Sequence, residues 1–64
     1  MIEVTDIHGR KVFLAKAAVA RINEAGASSQ WHGIRSFVKT FDGKTIEAQQ
    51  TATEIADMLR KEPS

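Results

Sequence analysis

The chain has 64 residues, with nine lysine and arginine against eight aspartate and glutamate, and no cysteine. This length allows a single domain, 1–64, and the composition excludes disulfides, thiolate metal sites and the strong net charge of many nucleic-acid binders. No apolar run is long enough to cross a membrane and no signal peptide opens the chain, so we expect a cytoplasmic protein.

Two short strands are predicted at the start of the chain. Apolar and polar residues alternate over residues 1–5, which predicts a strand with Ile2 and Val4 facing the core. A His-Gly pair then favours a turn, because glycine accepts positive φ without a steric penalty. Lys11–Leu14 is predicted as the second strand.

The next segment leaves two interpretations open. Residues 15–18 are rich in alanine and are typical of one helical turn. Val19–Glu24 is either a third strand or a continuation of that helix. Residues 26–33 hold small and polar side chains between two glycines, which predicts a loop.

A β-hairpin is predicted over residues 34–41 and 44–48, joined by an Asp-Gly turn. A two-residue turn would place Val38 opposite Glu47, whereas a three-residue turn with a bulge at the glycine places Val38 opposite Ile46. Only the second register gathers the apolar side chains on one face, so we predict it.

The remaining segment predicts a helix that begins at a Thr51–Glu54 capping box, in which each side chain bonds the other residue's backbone amide. An apolar stripe predicts its core contacts, which are Ala52, Ile55, Ala56 and Leu59. Met58 is the predicted edge contact to another chain. We also expect an Asp57–Lys61 ion pair, with Pro63 marking the helix end. The predicted fold is therefore α+β, a small five-stranded antiparallel sheet with one C-terminal helix packed on one face.

A set of short motifs and single residues is spread along most of the chain: Met1-Ile2, Val4-Thr5, Gly9, Leu14, Val19, Ile22, Glu24, Val38, Gly43, Ile46, Ala48, Thr51 and Glu54-Ile55. This set resembles the FlbD-type small proteins of bacterial flagellar operons. The chain departs from that family at Thr40, where the family tends to be apolar. It also carries about eight extra residues at Gly26–Gly33, where the family has a tight turn. The resemblance implies a cytoplasmic accessory protein linked to flagellar motility, and not an enzyme.

Two further likenesses concern nucleic-acid binders. Residues 22–25, residues 41–44 and the final helix are similar to the strand-turn-strand-helix ending of LytTR-type DNA-binding domains. CsrA-type RNA binders share the five strands and the C-terminal helix, as intertwined dimers, but their short motifs are not found here.

No catalytic, metal or cofactor site is predicted. His32 stands beside Ser28 and Ser29, but adjacency in a loop does not orient a base toward a nucleophile. His8 and His32 lack a third ligand for a metal ion, and the four glycines are spread over turns instead of forming a phosphate-binding loop.

The outer face of the strand over residues 34–41 is a candidate binding surface, on which Arg35, Phe37, Lys39 and Phe41 alternate. Three interpretations stay open. Cations between aromatic rings suit single-stranded nucleic acid, although the small net charge disfavours it. Phe37 packs against Phe13 in the second interpretation, and the face binds another protein chain in the third.

Trp31, the chain's single tryptophan, is either a plug over the open end of the sheet or an exposed anchor for a partner. Its loop also holds His32 and leads into Arg35, and loops on a rigid sheet often carry recognition residues. We therefore predict a non-enzymatic interaction module that binds a protein partner or a second copy of itself. The predicted partner-binding residues are Trp31, His32, Arg35, Phe37 and Lys39. The alternative is a regulatory protein that binds RNA or DNA through the strand over residues 34–41.

Overall fold

The computed structural model describes residues 1–62, apart from the side chain of Ser29. Its elements follow in the order β1 (Ile2–Thr5), β2 (Lys11–Leu14), a 3₁₀ turn (Lys16–Ala18), β3 (Val19–Glu24), α1 (Ala27–Gln30), β4 (Ser36–Thr40), β5 (Thr45–Ala48) and α2 (Ala52–Lys61). The α+β class, the five strands and the C-terminal helix are confirmed.

The five strands form two antiparallel sheets, so the single sheet predicted from the sequence was wrong. β1 pairs with β2, and the other three strands pair in the order β3-β4-β5. An isolated bridge between Asp6 and Ala48 connects the sheets. β1 ends there because the Asp6 carboxylate accepts hydrogen bonds from the amides of His8 and Arg10, each at 2.9 Å, which bends the chain into a turn.

Gln49 and Gln50 strengthen the connection between the two sheets. The Gln49 amide donates to the Thr5 carbonyl and its side-chain Nε2 donates to the Asp6 carbonyl, both at 2.8 Å. Gln50 Oε1 accepts from the Thr5 amide at 2.9 Å, and the Gln50 carbonyl accepts from the buried Ser36 hydroxyl at 2.6 Å. The segment before α2 therefore ties β1 to β4.

The predicted register of the β4–β5 hairpin is confirmed. Val38 lies opposite Ile46, and the turn has three residues, 41–43, closed by the Thr40 amide donating to the Lys44 carbonyl at 2.9 Å. Gly43 has φ +88°, in the left-handed region that only glycine adopts without strain.

The Asp42 carboxylate is fixed inside this turn. It accepts hydrogen bonds from the Thr40 hydroxyl and from the Lys44 amide, the latter at 3.3 Å. These bonds, led by the one from Thr40, hold the pKa of Asp42 below its usual value because they favour the ionised carboxylate.

Other elements form with small shifts from the predicted bounds. The alanine-rich residues make the 3₁₀ turn, and Val19–Glu24 is a strand, so the interpretation that continues a helix into it was wrong. β4 and β5 are shorter than predicted, at Ser36–Thr40 and Thr45–Ala48. The predicted loop over residues 26–33 contains the short helix α1.

Helix α2 contacts both sheets, through β1 and β3. The Glu54 amide donates to the Thr51 hydroxyl at 3.1 Å, as predicted, whereas the Glu54 carboxylate bonds the Thr51 hydroxyl and not its amide. Asp57 pairs with Arg60, so the predicted pair with Lys61 was wrong. Pro63 lies outside the described residues.

The core lies between α2 and the two sheets. Its most buried side chains are Ile2, Val4, Val38, Ala48 and Ile55. Met58 is partly buried against this cluster, and its contact to another chain stays a prediction. Ala56 is exposed, so its predicted place in the core was wrong. On a helix that turns about 100° per residue, Met58 lies about 60° to one side of Ile55, whereas Ala56 lies about 100° to the other.

Candidate functional site

Trp31 is 89% exposed, the largest exposure among the large apolar side chains that the structure describes. The plug interpretation is therefore wrong. The residue follows helix α1 directly, in a turn that ends at Gly33, whose φ of +85° sends the chain back toward β4.

The loop that carries Trp31 is anchored at both ends. Ala25 and Ile34 are buried, and the Ala25 amide donates to the Arg35 carbonyl at 3.1 Å, which extends the β3–β4 ladder beyond the strands. Inside the loop, Gln30 Nε2 donates to the Ala25 carbonyl at 3.1 Å, and the Trp31 amide donates to the Ala27 carbonyl at 3.3 Å. The indole is thus exposed to solvent on a hydrogen-bonded backbone.

Two depressions flank this loop and share Gln30. One, beside the indole, is lined by Ala27, Gln30 and Trp31. The other has a volume of about 160 Å³ and is lined by Glu24, Gln30, Arg35, Thr51 and Ala52, at the start of α2.

The outer face of the β3-β4-β5 sheet carries the alternation predicted for β4. Lys39 is exposed, Phe37 is half-buried, and Phe41, just after the strand, is 75% exposed. The interpretation in which Phe37 packs against Phe13 is not supported, because Phe13 belongs to the other sheet and is itself 60% exposed.

Strand β3 adds a cation to this face that sequence reasoning missed. Arg21 lies directly opposite Lys39, and Asn23 lies opposite Phe37. Glu47 on β5 lies on the other side of Phe37. Pairing β3 with β4 at the sequence level would have revealed Arg21; the role of Gln30 has no comparable signal, because it depends on the fold of the loop.

The predicted partner-binding residues divide between two places. Trp31 and the exposed His32 lie in the loop before β4, Arg35 lies at the junction, and Phe37 and Lys39 lie on the sheet face. The five residues of β4 span about 17 Å, at about 3.3 Å per residue, so Phe41 is remote from the Trp31 loop. The two surfaces are therefore separate, with Arg35 between them.

Three comparisons with known proteins, against family models, curated proteins and solved structures, found no match to this chain. Within residues 1–62, no helix combines the length and the apolar character needed to cross a membrane. In the same part of the chain, no three histidine, aspartate or glutamate side chains are grouped closely enough to hold a metal ion.

Proposed function

We propose that this chain is a small, non-enzymatic bacterial interaction protein that associates with a second copy of itself through the Trp31 loop. The observation that carries the proposal is the 89% exposure of Trp31 on a hydrogen-bonded loop. An aromatic side chain can bury 150–250 Å², so covering this indole is worth roughly 4–6 kcal/mol of hydrophobic free energy before the costs of association.

A second copy is the partner that the surface of the chain favours. Among residues 1–62, four large apolar side chains are exposed: Met1, Phe13, Trp31 and Phe41. In a two-fold dimer the same patch meets itself, so the Trp31 loop of one copy packs against the shallow surface formed by Ala27, Gln30 and Trp31 of the other.

The cellular setting we propose is cytoplasmic and linked to flagellar motility. It rests on the resemblance of the chain to FlbD-type proteins and is independent of the dimer. Flagellar genes beside the gene for this chain would support this setting, and loss of the gene without any effect on swimming would contradict it.

Sedimentation velocity from low to high micromolar concentration tests the association. We expect the wild-type chain to shift from monomer to dimer and Trp31→Ala to remain a monomer. Phe41→Ala is the matched control, because it removes another exposed aromatic ring far from the loop. A wild-type chain that stays monomeric at high micromolar concentration, or a Trp31→Ala variant that dimerises like wild type, would overturn the proposal.

A further inference from the structure

The outer face of the β3-β4-β5 sheet concentrates positive charge that the net charge of +1 conceals. Arg21, Lys39 and, just before β4, Arg35 are all exposed. Two carboxylates lie near them: Glu47 on the same face, and Glu24 in the depression beside Arg35. The ion pairs formed within residues 1–62 involve other side chains. We propose that this face binds single-stranded RNA, as a function separate from the Trp31 loop.

The position of Arg21 favours the binding of a polyanionic ligand at this face. It lies directly opposite Lys39 in the β3–β4 ladder, and two like charges facing each other across strands destabilise a sheet. A phosphate between the two side chains turns this repulsion into attraction. Arg35 continues the row of cations along β4, in the direction that a backbone of phosphates would follow.

The rings between these cations supply the second element of recognition. Phe37 lies between Arg35 and Lys39 along the chain, and Phe41 follows Lys39 at the hairpin. At about 3.3 Å per residue, the backbone positions of the two phenylalanines are up to about 13 Å apart. Bases of a single strand stack on such rings, whereas the paired bases of a duplex do not expose their faces.

Two polar side chains on this face favour RNA over DNA. Asn23 lies opposite Phe37, and Thr45 lies opposite Lys39. Both are exposed and can exchange hydrogen bonds with the 2′-hydroxyl group that distinguishes RNA.

Fluorescence anisotropy with a labelled mixed-sequence RNA tests this proposal. A length of about 12 nucleotides lies within the range of known single-strand binding sites. Three phosphate contacts predict a slope of about −2 for log affinity against log salt, and an affinity loss of about 20-fold between about 50 and 200 mM salt. The double variant Arg21→Gln/Lys39→Gln is expected to reduce the slope to about −0.7. Its control, Arg10→Gln/Lys61→Gln, removes two positive charges away from the sheet face. We expect this control to bind the RNA with the affinity and salt slope of the wild-type chain.

Phe37→Leu tests the stacking contact, and we expect it to weaken binding roughly 5-fold or more. Phe41→Leu, at a 75% exposed position, repeats the test without disturbing packing. The proposal is overturned by no binding at about 50 mM salt, by equal binding of the two double variants, or by full binding of both leucine variants. Equal affinity for duplex RNA or for DNA of the same sequence would also overturn it. Trp31→Ala is expected to leave the affinity per chain unchanged, so failure of the dimer does not affect this test.

Discussion

Removing the side chain at the centre of the core should destabilise the whole chain. Ile55 is 0% exposed and is the largest of the fully buried side chains; it joins α2 to residues of both sheets. Truncating a buried isoleucine to alanine costs about 2–5 kcal/mol, because transfer free energy is lost and a cavity remains. A chain of 64 residues has a total stability of about 3–10 kcal/mol, at about 0.05–0.15 kcal/mol per residue. Ile55→Ala should therefore lose about a fifth or more of the folding free energy.

Urea unfolding followed by circular dichroism measures this loss. With a slope of about 1 kcal/mol per molar urea, the midpoint should fall by about 2 M or more, or the variant should be unfolded without urea. Ala56→Ser is the control on the same helix, and we expect a change within about 0.5 kcal/mol because Ala56 is exposed. A loss below about 1 kcal/mol for Ile55→Ala, or an equal loss for the two variants, would refute this account of the core.

Three further predictions concern the hairpin and the sheet face. Gly43→Ala should cost about 1 kcal/mol or more because of the positive φ, whereas Gly26→Ala, which has neither positive φ nor close neighbours, should be nearly neutral in the same urea assay. Because the pKa of Asp42 is lowered on folding, its contribution is present above the ordinary value of 3.8 and is lost as the pH falls through the lowered value. Asp42→Asn should therefore remove part of the acid dependence of stability below pH 3.8, and an unchanged pH profile would contradict this. Arg21→Gln should raise stability by up to about 0.5 kcal/mol, since it relieves the repulsion with Lys39, and a clear loss would contradict the pairing.

Local patterns predict the strands and the hairpin well. Alternation with a period of two places Ile2 and Val4 in the core, and the same alternation selects the register that joins Val38 to Ile46. A register shift of one residue would move every apolar side chain of the hairpin to the wrong face. The apolar alternation in the sequence therefore specifies the register strongly. The Thr51 cap is predicted for a similar reason, because its partner Glu54 lies three residues away.

Long-range contacts decide the features that sequence reasoning missed. The division into two sheets depends on the Asp6 turn and on the hydrogen bonds of Gln49 and Gln50 to β1, which lies more than 40 residues away. Whether Met58 or Ala56 packs against the core depends on where the sheets lie relative to α2, because both positions suit an apolar stripe. The helical propensity of an element does not contain this information.

In the candidate site too, one feature follows from a local pattern of the sequence and another from how the chain folds. The alternation of cations and rings on β4 follows from the period of a strand and is confirmed. The exposure of Trp31 could not be derived from its neighbours in sequence, since a loop of small residues can either fold over the sheet or form a helical turn beside it. The structure contains the second arrangement, with α1 held by hydrogen bonds to Gly26 and Ala27.

The fluorescence of Trp31 tests self-association most directly, because it is the single tryptophan of the chain and lies at the proposed contact. We predict that at nanomolar concentration its emission is that of a solvated indole and is quenched readily by acrylamide. At high micromolar concentration the emission should shift to shorter wavelength, and quenching should fall over the same range in which sedimentation detects the dimer. Emission and quenching that stay those of a solvated indole across this range would contradict the account.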